Sequence, residues 1–186
     1  MILYIKNMVC SRCKLVVRNV FGEQGMVPVS VELGEVELKE EPSAIQLEKV
    51  SKQLEDLGFE IIDDRKSQLI EQIKNAIITL IHHSEEAPKM NLSDILTGKL
   101  NYDYTYLSNL FSEVEGVTIE KYLIAQRVEK VKELLRYDQL TLSQIADQLG
   151  YSSVGYLSNQ FKKQTGLSPS FYKSQKENQR RNIEEL

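Results

Sequence analysis

The sequence predicts an α+β chain made of two unlike parts: a small sheet-and-helix unit over residues 1–66, then an all-helical unit over residues 67–178, with 179–186 as a tail. Three observations carry this. Val27, Val29, Val31 and Leu33 alternate strictly, the period of a half-buried strand. Leu69, Ile70, Ile73, Ile77, Leu80 and Ile81 recur at helical spacing. The second half also contains an earlier copy of itself, because Tyr106-Leu107-Ser108-Asn109-Leu110-Phe111 returns as Tyr156-Leu157-Ser158-Asn159-Gln160-Phe161 at an offset of 50. The same offset pairs Leu92-Ser93 with Leu142-Ser143, Ile95 with Ile145, Gly116 with Gly166 and Tyr122 with Tyr172. A repeat at fixed period implies a duplicated structural unit, and two copies are too few for a solenoid.

The 186 residues have room for one or two domains, and 41% hydrophobic content supports packed cores. No apolar run approaches the roughly 20 residues of a membrane span. The start, MILYIKNMVC, lacks a basic segment followed by an apolar core, so a cytoplasmic location is expected. A net charge of −4 argues against indiscriminate nucleic-acid binding, but the charge is unevenly spread. Residues 150–181 hold Lys162, Lys163, Lys173, Lys176, Arg180 and Arg181 against Glu177 alone. Residues 91–117 hold Lys99 against Asp94, Asp103, Glu113 and Glu115.

The first part reads element by element. Ile2 to Ile5 is a short strand, and Met8-Val9-Cys10-Ser11-Arg12-Cys13 is a loop. A helix runs from Ser11 to about Gln24 on Val16, Val17, Val20 and Phe21, with Gly22 and Gly25 at its end. The Val27–Leu33 strand turns at Gly34 into a partner bearing Val36 and Leu38. Pro42 and Ser43 start a second helix, whose apolar residues are Ile45, Leu47, Val50, Leu54 and Leu57. Gly58 stops it, and Phe59, Ile61 and Ile62 form a last strand. The order β-α-β-β-α-β is the ferredoxin-like split unit.

Both cysteines, Cys10 and Cys13, fall in one CxxC, which in a cytosolic chain suggests metal or redox chemistry over a structural disulfide. With Met8 before it and Leu57-Gly58-Phe59 ahead of the last strand, residues 1–62 resemble the heavy-metal-associated domain of copper chaperones and metal-pumping ATPases. That resemblance implies a soft metal ion held by the thiolates of Cys10 and Cys13, Cu(I) with Zn(II) as the alternative, and Met8 packed beneath the loop. Thiolates prefer soft ions, and a helix N-terminus favours the ligating form of a thiol. The sequence departs from that family at Asn7, where glycine is usual, and in its shorter hairpin turn. The competing reading is a retained module for dimerisation or partner binding.

Asp63-Asp64-Arg65-Lys66 is a charged link to the Leu69–Ile81 helix, which opens the second part and is a candidate to touch the first. His82-His83-Ser84-Glu85-Glu86 before Pro88 reads as a solvated helix terminus and loop rather than a metal site, since helix neighbours point apart.

Two helix-turn-helix units are expected, at 91–116 and 141–166. In the first, Asn91 caps a short helix, and a second carries Tyr106, Leu107, Leu110, Phe111 and Val114 on its apolar face before Gly116. Thr118 caps a long central helix lined by Tyr122, Leu123, Val128, Val131, Leu134 and Leu135. Its Arg127, Glu129, Lys130, Lys132 and Glu133 read as a mostly solvated face. Thr141 or Ser143 caps the second unit, Gly150 makes its turn, Gly166 stops its second helix, and Ser168 and Pro169 start a third.

Ile145-Ala146, Leu149-Gly150-Tyr151, Tyr156-Leu157-Ser158, Phe161-Lys162-Lys163, Gly166-Leu167-Ser168-Pro169 and Tyr172-Lys173 are similar to the DNA-binding domain of AraC-type transcription regulators, over roughly residues 67–176. The first unit departs further: Leu96 stands where the second has Ala146, and its turn lacks the glycine found at 150. The resemblance implies two recognition helices, each entering a major groove on one face of double-stranded DNA. It places Ser153, Val154, Gly155, Ser158 and Asn159 outward on the second, and Tyr104, Thr105, Ser108 and Asn109 outward on the first. Lys162, Lys163 and Lys173 would sit near phosphates. Tyr156, Leu157 and Phe161 read as core by helical spacing, while Asn109 and Asn159 are divided between base contact and surface.

The function these readings give is a bacterial, sequence-specific DNA-binding transcription regulator, modulated by soft metal or thiol state at Cys10 and Cys13. The alternative is a metal carrier or partner-binding protein whose AraC-like half does not bind DNA productively. No enzyme is expected, since the CxxC is the sole nucleophile-like pair and no His is near it in sequence. A homodimer through the N-terminal domain would raise the effective concentration of half-site contacts, and the sequence leaves the oligomeric state open.

Overall fold

The computed structural model describes residues 1–84, 90–137 and 139–174. Glu85, Glu86, Pro88, Lys176, Glu177, Arg180, Arg181 and the tail lie outside the described residues. The chain divides into two compact units, Met1–Asn75 and Ala76–Leu186.

The first unit runs β1 (Ile2–Lys6), α1 (Ser11–Glu23), β2 (Ser30–Glu32), β3 (Glu35–Glu37), α2 (Ala44–Asp56) and β4 (Glu60–Ile62). Its sheet is antiparallel in the order β2-β3-β1-β4. The register Val31↔Val36 and Leu3↔Val36 lines three apolar side chains across it, all at least nine-tenths buried. Ile5, Met8, Val17, Phe21, Val50 and Leu54 complete this core at full or near-full burial. Met8 is therefore packed inside, as expected. Ser43 and Gln46 form a reciprocal capping box that starts α2.

Two expectations fail here for local reasons. The Val27–Leu33 strand shrinks to Ser30–Glu32, leaving Val27 87% and Val29 60% exposed. Pro28 has no N–H to donate, and β2 is an edge strand, so nothing packs the outer valines. Ile45 and Leu57, read as part of the apolar face of α2, are also exposed; the helix buries only Val50 and Leu54 fully.

Asn7 takes φ 70, the left-handed region that glycine prefers, and its side chain donates to the Gly58 carbonyl at 2.8 Å. Asparagine tolerates that conformation, so the sequence departure at this position keeps the backbone geometry. At the β2–β3 turn, Gly34 (φ 80) lies so close to the Asn75 side chain that a Cβ would collide with it.

The third helix, α3 (Arg65–His82), begins where the Asp64 carboxylate accepts the Ser67 N–H at 2.9 Å. Its first half belongs to the first unit: Gln72 donates to Glu35 at 3.0 Å and Gln68 to the Ile62 carbonyl at 2.9 Å. The boundary between units thus falls inside α3 instead of at the charged link.

In the second unit follow α4 (Leu92–Leu100), α5 (Tyr104–Glu115), α6 (Ile119–Tyr137), α7 (Leu142–Gln148), α8 (Val154–Thr165) and α9 (Pro169–Ser174). The offset of the repeat is preserved in three dimensions. Gly116 and Gly166 both end their helices in the left-handed region, at φ 70 and 78. Phe111 meets Tyr122 edge-on at 5.6 Å between ring centroids, and Phe161 meets Tyr172 the same way at 5.4 Å. The two turns differ: Gly150 (φ 67) serves the second, while α4 runs longer and places Asn101 (φ 57) in the same conformation. None of the described helices is long and apolar enough to cross a membrane.

Candidate nucleic-acid interface

Helix α8 is built with one wet and one dry face. The Ser153 hydroxyl caps it by accepting the Tyr156 N–H at 3.1 Å. Leu157 and Phe161 are buried in a core with Val131, Ile145, Ala146 and Tyr172. Ser153, Gly155, Asn159, Lys162 and Lys163 are exposed, and Ser158 is half-buried. Val154, expected to point outward, packs partly against the core. Lys173 is exposed on α9. A Cβ at Gly155 would meet only Ser153 Oγ, at 3.8 Å, so nothing in the fold requires glycine there.

Helix α5 repeats this plan with other chemistry. Asp103 caps it, accepting the Thr105 N–H at 2.8 Å. Leu107, Leu110 and Phe111 are buried, Thr105 and Asn109 are exposed, and Ser108 is half-buried. Tyr104, expected to face outward freely, is half-buried and bonded to Glu120. At the positions of Lys162 and Lys163 stand Ser112 and Glu113.

Periodicity misplaces the residues next to each dry face. Tyr106, Val114 and Tyr156, assigned to apolar faces, are 46%, 50% and 53% exposed. Tyr106 and Tyr156 each precede a buried leucine by one residue, about 100° round the helix. Tyr106 stacks on Tyr102, and Tyr156 lies tilted against Tyr151. Between α6 and α8 runs a groove of about 620 Å³ lined by Val117, Lys121, Ile124, Tyr156, Asn159 and Lys163 among others. The fold sets Lys121, which the sequence motifs do not single out, beside the same groove as Lys163.

The central helix corrects a larger expectation. Its polar face is not solvated: Glu129 and Lys132 are buried and paired at 2.8 Å, and Gln126 is fully buried. Lys130 pairs with Glu133 at 3.3 Å. The Arg127 guanidinium lies 5.5 Å from the Tyr151 ring centroid, a cation–π contact. Burial, opposed by Arg127 and helped by Tyr156, pushes the Tyr151 phenol up to about 12. Because α6 packs against α5, α7, α8 and α9, little of its circumference is left to water. His82 is also not solvated: its side chain is 5% exposed, with Nε2 2.9 Å from Gln126 Oε1 and Nδ1 4.0 Å from Glu133 Oε2.

The two thiols lie at the start of α1, Cys10 half-buried at the N-cap and Cys13 buried in its first turn, with sulfurs 3.3 Å apart. Burial raises the Cys10 thiol, but the Cys13 and Arg12 N–H groups, which fall short of a formed cap bond, the Cys13 thiol and the Arg12 charge together bring it below its ordinary value. Burial pushes the Cys13 thiol up, and so does its neighbour Cys10. The surroundings thus push the two thiols in opposite directions. Among the described residues no group of three or more His, Cys, Asp or Glu side chains could hold a metal ion.

Comparison with known proteins places the helical part. Residues 96–175 match the family model of a helix-turn-helix domain. An uncharacterised HTH-type transcriptional regulator of Bacillus subtilis, YtdP, is 29% identical over 115 residues, 62% of this chain and 15% of that one. The transposon Tn10 TetD protein of Escherichia coli is 29% identical over 104 residues, 56% of this chain and 73% of that one. This chain therefore spans only a small part of the first relative's length. The solved C-terminal domain of AraT, a response regulator from Geobacillus stearothermophilus, superposes with a TM-score of 0.52 at 25% identity, over 64% of this chain and 95% of that domain. By relatives that are regulators rather than enzymes, and by the duplicated unit itself, the helical part of this chain is a helix-turn-helix domain of the AraC type.

Proposed function

We propose that the chain is a sequence-specific DNA-binding transcription regulator whose affinity for DNA responds to soft metal or thiol state at Cys10 and Cys13. The observation that carries the DNA-binding half is the pair of capped helices α5 and α8, repeated at an offset of 50 with their dry faces inward. Two such helices suit successive major grooves, about 34 Å apart along one DNA face. Asn159 is able to make a bidentate contact to adenine, and Lys162, Lys163 and Lys173 to neutralise phosphates. Gly155 fits close approach of a backbone or base at the start of α8.

The first unit supports the regulatory half of the reading. Its β-α-β-β-α-β order and β2-β3-β1-β4 sheet are what a ferredoxin-like domain has. Two thiols at a helix start with sulfurs 3.3 Å apart suit a soft ion, which would bind both as thiolates. Cys10 and Cys13 would hold such an ion through these two sulfurs. A bound ion supplies a fixed cross-link between the loop and α1; the chain's residues then set how far that loop is held. Because α3 has residues in both units, it is the natural carrier of the signal.

The test has two stages. The full chain is used to enrich duplexes from a random pool, and binding to the enriched duplex is measured with and without Cu(I), Ag(I) or Zn(II). Enrichment of one motif supports the first half. A five- to 150-fold metal-dependent change, roughly 1–3 kcal/mol of coupling, that vanishes in Cys10→Ser/Cys13→Ser supports the second. Equal affinity in all conditions removes the sensor and leaves the DNA reading intact.

A further inference from the structure

One contact distinguishes the two copies although the duplicated backbone does not require it. The Tyr104 hydroxyl, at the start of α5, donates to Glu120 Oε1 at 2.7 Å in the first turn of α6. Fifty residues on, the equivalent positions are Val154 and Ser170, which cannot form that bond. The bond from Tyr104 is the main cause holding the Glu120 carboxyl below its usual range. Burial, then the bond to Glu120, moves the Tyr104 phenol above its ordinary range. At neutral pH the contact is therefore a neutral phenol on a carboxylate anion.

Asp103 adds a second carboxylate at the same end of α5, where it accepts the Thr105 N–H. In the second copy the cap is the neutral Ser153. The entry end of α5 thus carries Asp103 and Glu120 where that of α8 carries Ser153 and Ser170. Helix-start N–H groups are natural partners of phosphate; each cap takes one of them, but at α5 the capping group is an anion and at α8 a neutral hydroxyl. An unrestrained Glu120 side chain would swing away from an approaching anion. Its bond to Tyr104 keeps the charge in place.

We propose that Glu120, positioned by Tyr104, keeps the first recognition helix from close approach to the DNA backbone and makes the hold on DNA one-sided. This rests on the DNA-binding reading above. The test uses the full chain and the duplex enriched by the wild type from a random pool, with affinity followed by fluorescence anisotropy over a salt series. Glu120→Ser, which places the second copy's residue in the first, binds about three- to fivefold tighter, the size of one like-charge repulsion lifted beside a phosphate in water. Hydroxyl-radical protection also extends over the half-turn that α5 faces. Tyr104→Phe, which frees the carboxylate to move away, gains about twofold, since repulsion falls with distance and screening. Glu48→Ser on α2, an exposed site with the same change in net charge, leaves affinity within twofold of the wild type. Glu120→Ser binding no tighter than the wild type overturns the proposal, and so does an equal gain from Glu48→Ser. Failure of the wild type to enrich any duplex rejects the DNA-binding reading itself, and the proposal with it.

Discussion

The two helix-turn-helix copies share a backbone and a core but not a surface. Phe111 and Tyr122 reproduce Phe161 and Tyr172 down to the edge-on ring contact. Outside the core the pairs diverge: Ser112 and Glu113 against Lys162 and Lys163, Asp103 and Glu120 against Ser153 and Ser170. Packing tolerates few side chains at a buried position, whereas an exposed position is limited only by what it meets. A duplicated unit therefore keeps its shape longer than its partner. The difference between the copies separates the residues that fold the unit from those the fold leaves free to vary.

If the cores are equivalent, Phe161→Ala and Phe111→Ala should each cost about 3–5 kcal/mol and differ by less than about 1 kcal/mol. Urea denaturation followed by circular dichroism measures both, and a large disparity would mean that one copy is the weaker fold. A smaller and one-sided effect is expected for recognition. Asn159→Ala should cost about 1–3 kcal/mol on the enriched duplex and relax base preference at one position, while Asn109→Ala changes little. Next comes charge. Lys162→Ala with Lys163→Ala should weaken binding about tenfold at moderate salt and flatten the log–log salt slope by roughly two. The counterpart Ser112→Ala should leave both unchanged. The smallest effect concerns caps. Thr141 makes a reciprocal box with Gln144, whereas the Asn91 side chain makes no cap bond. Thr141→Ala should cost about 1 kcal/mol and Asn91→Ala less.

Where a side chain does one job, its place was readable in advance. Leu107, Phe111, Leu157 and Phe161 sit where helical spacing puts them, and Ser43 and Ser168 mark helix starts. Reading failed where a neighbour in space decides. Val27 and Val29 alternate correctly but lie on an edge beside Pro28. Glu129 and Lys132 look like solvent residues one at a time, yet their mutual ion pair allows both to be buried. His82 likewise finds Gln126, 44 residues away. Of the candidate interface, exposed Asn159, Lys162 and Lys163 were legible from the motif. The Tyr104–Glu120 contact was not, because it joins two elements and no periodicity records it. The thiol pair at the start of α1 was readable as CxxC, but the opposite directions in which its two thiols are pushed come from burial and from helix N–H groups.

The central claim, that the second copy anchors the protein on DNA and the first contributes less, is tested most directly by phosphate footprinting of the full chain on its enriched duplex. The account predicts strong protection over the half-turn facing α8 and weak or absent protection over the half-turn facing α5. Equal protection of the two half-turns would contradict it.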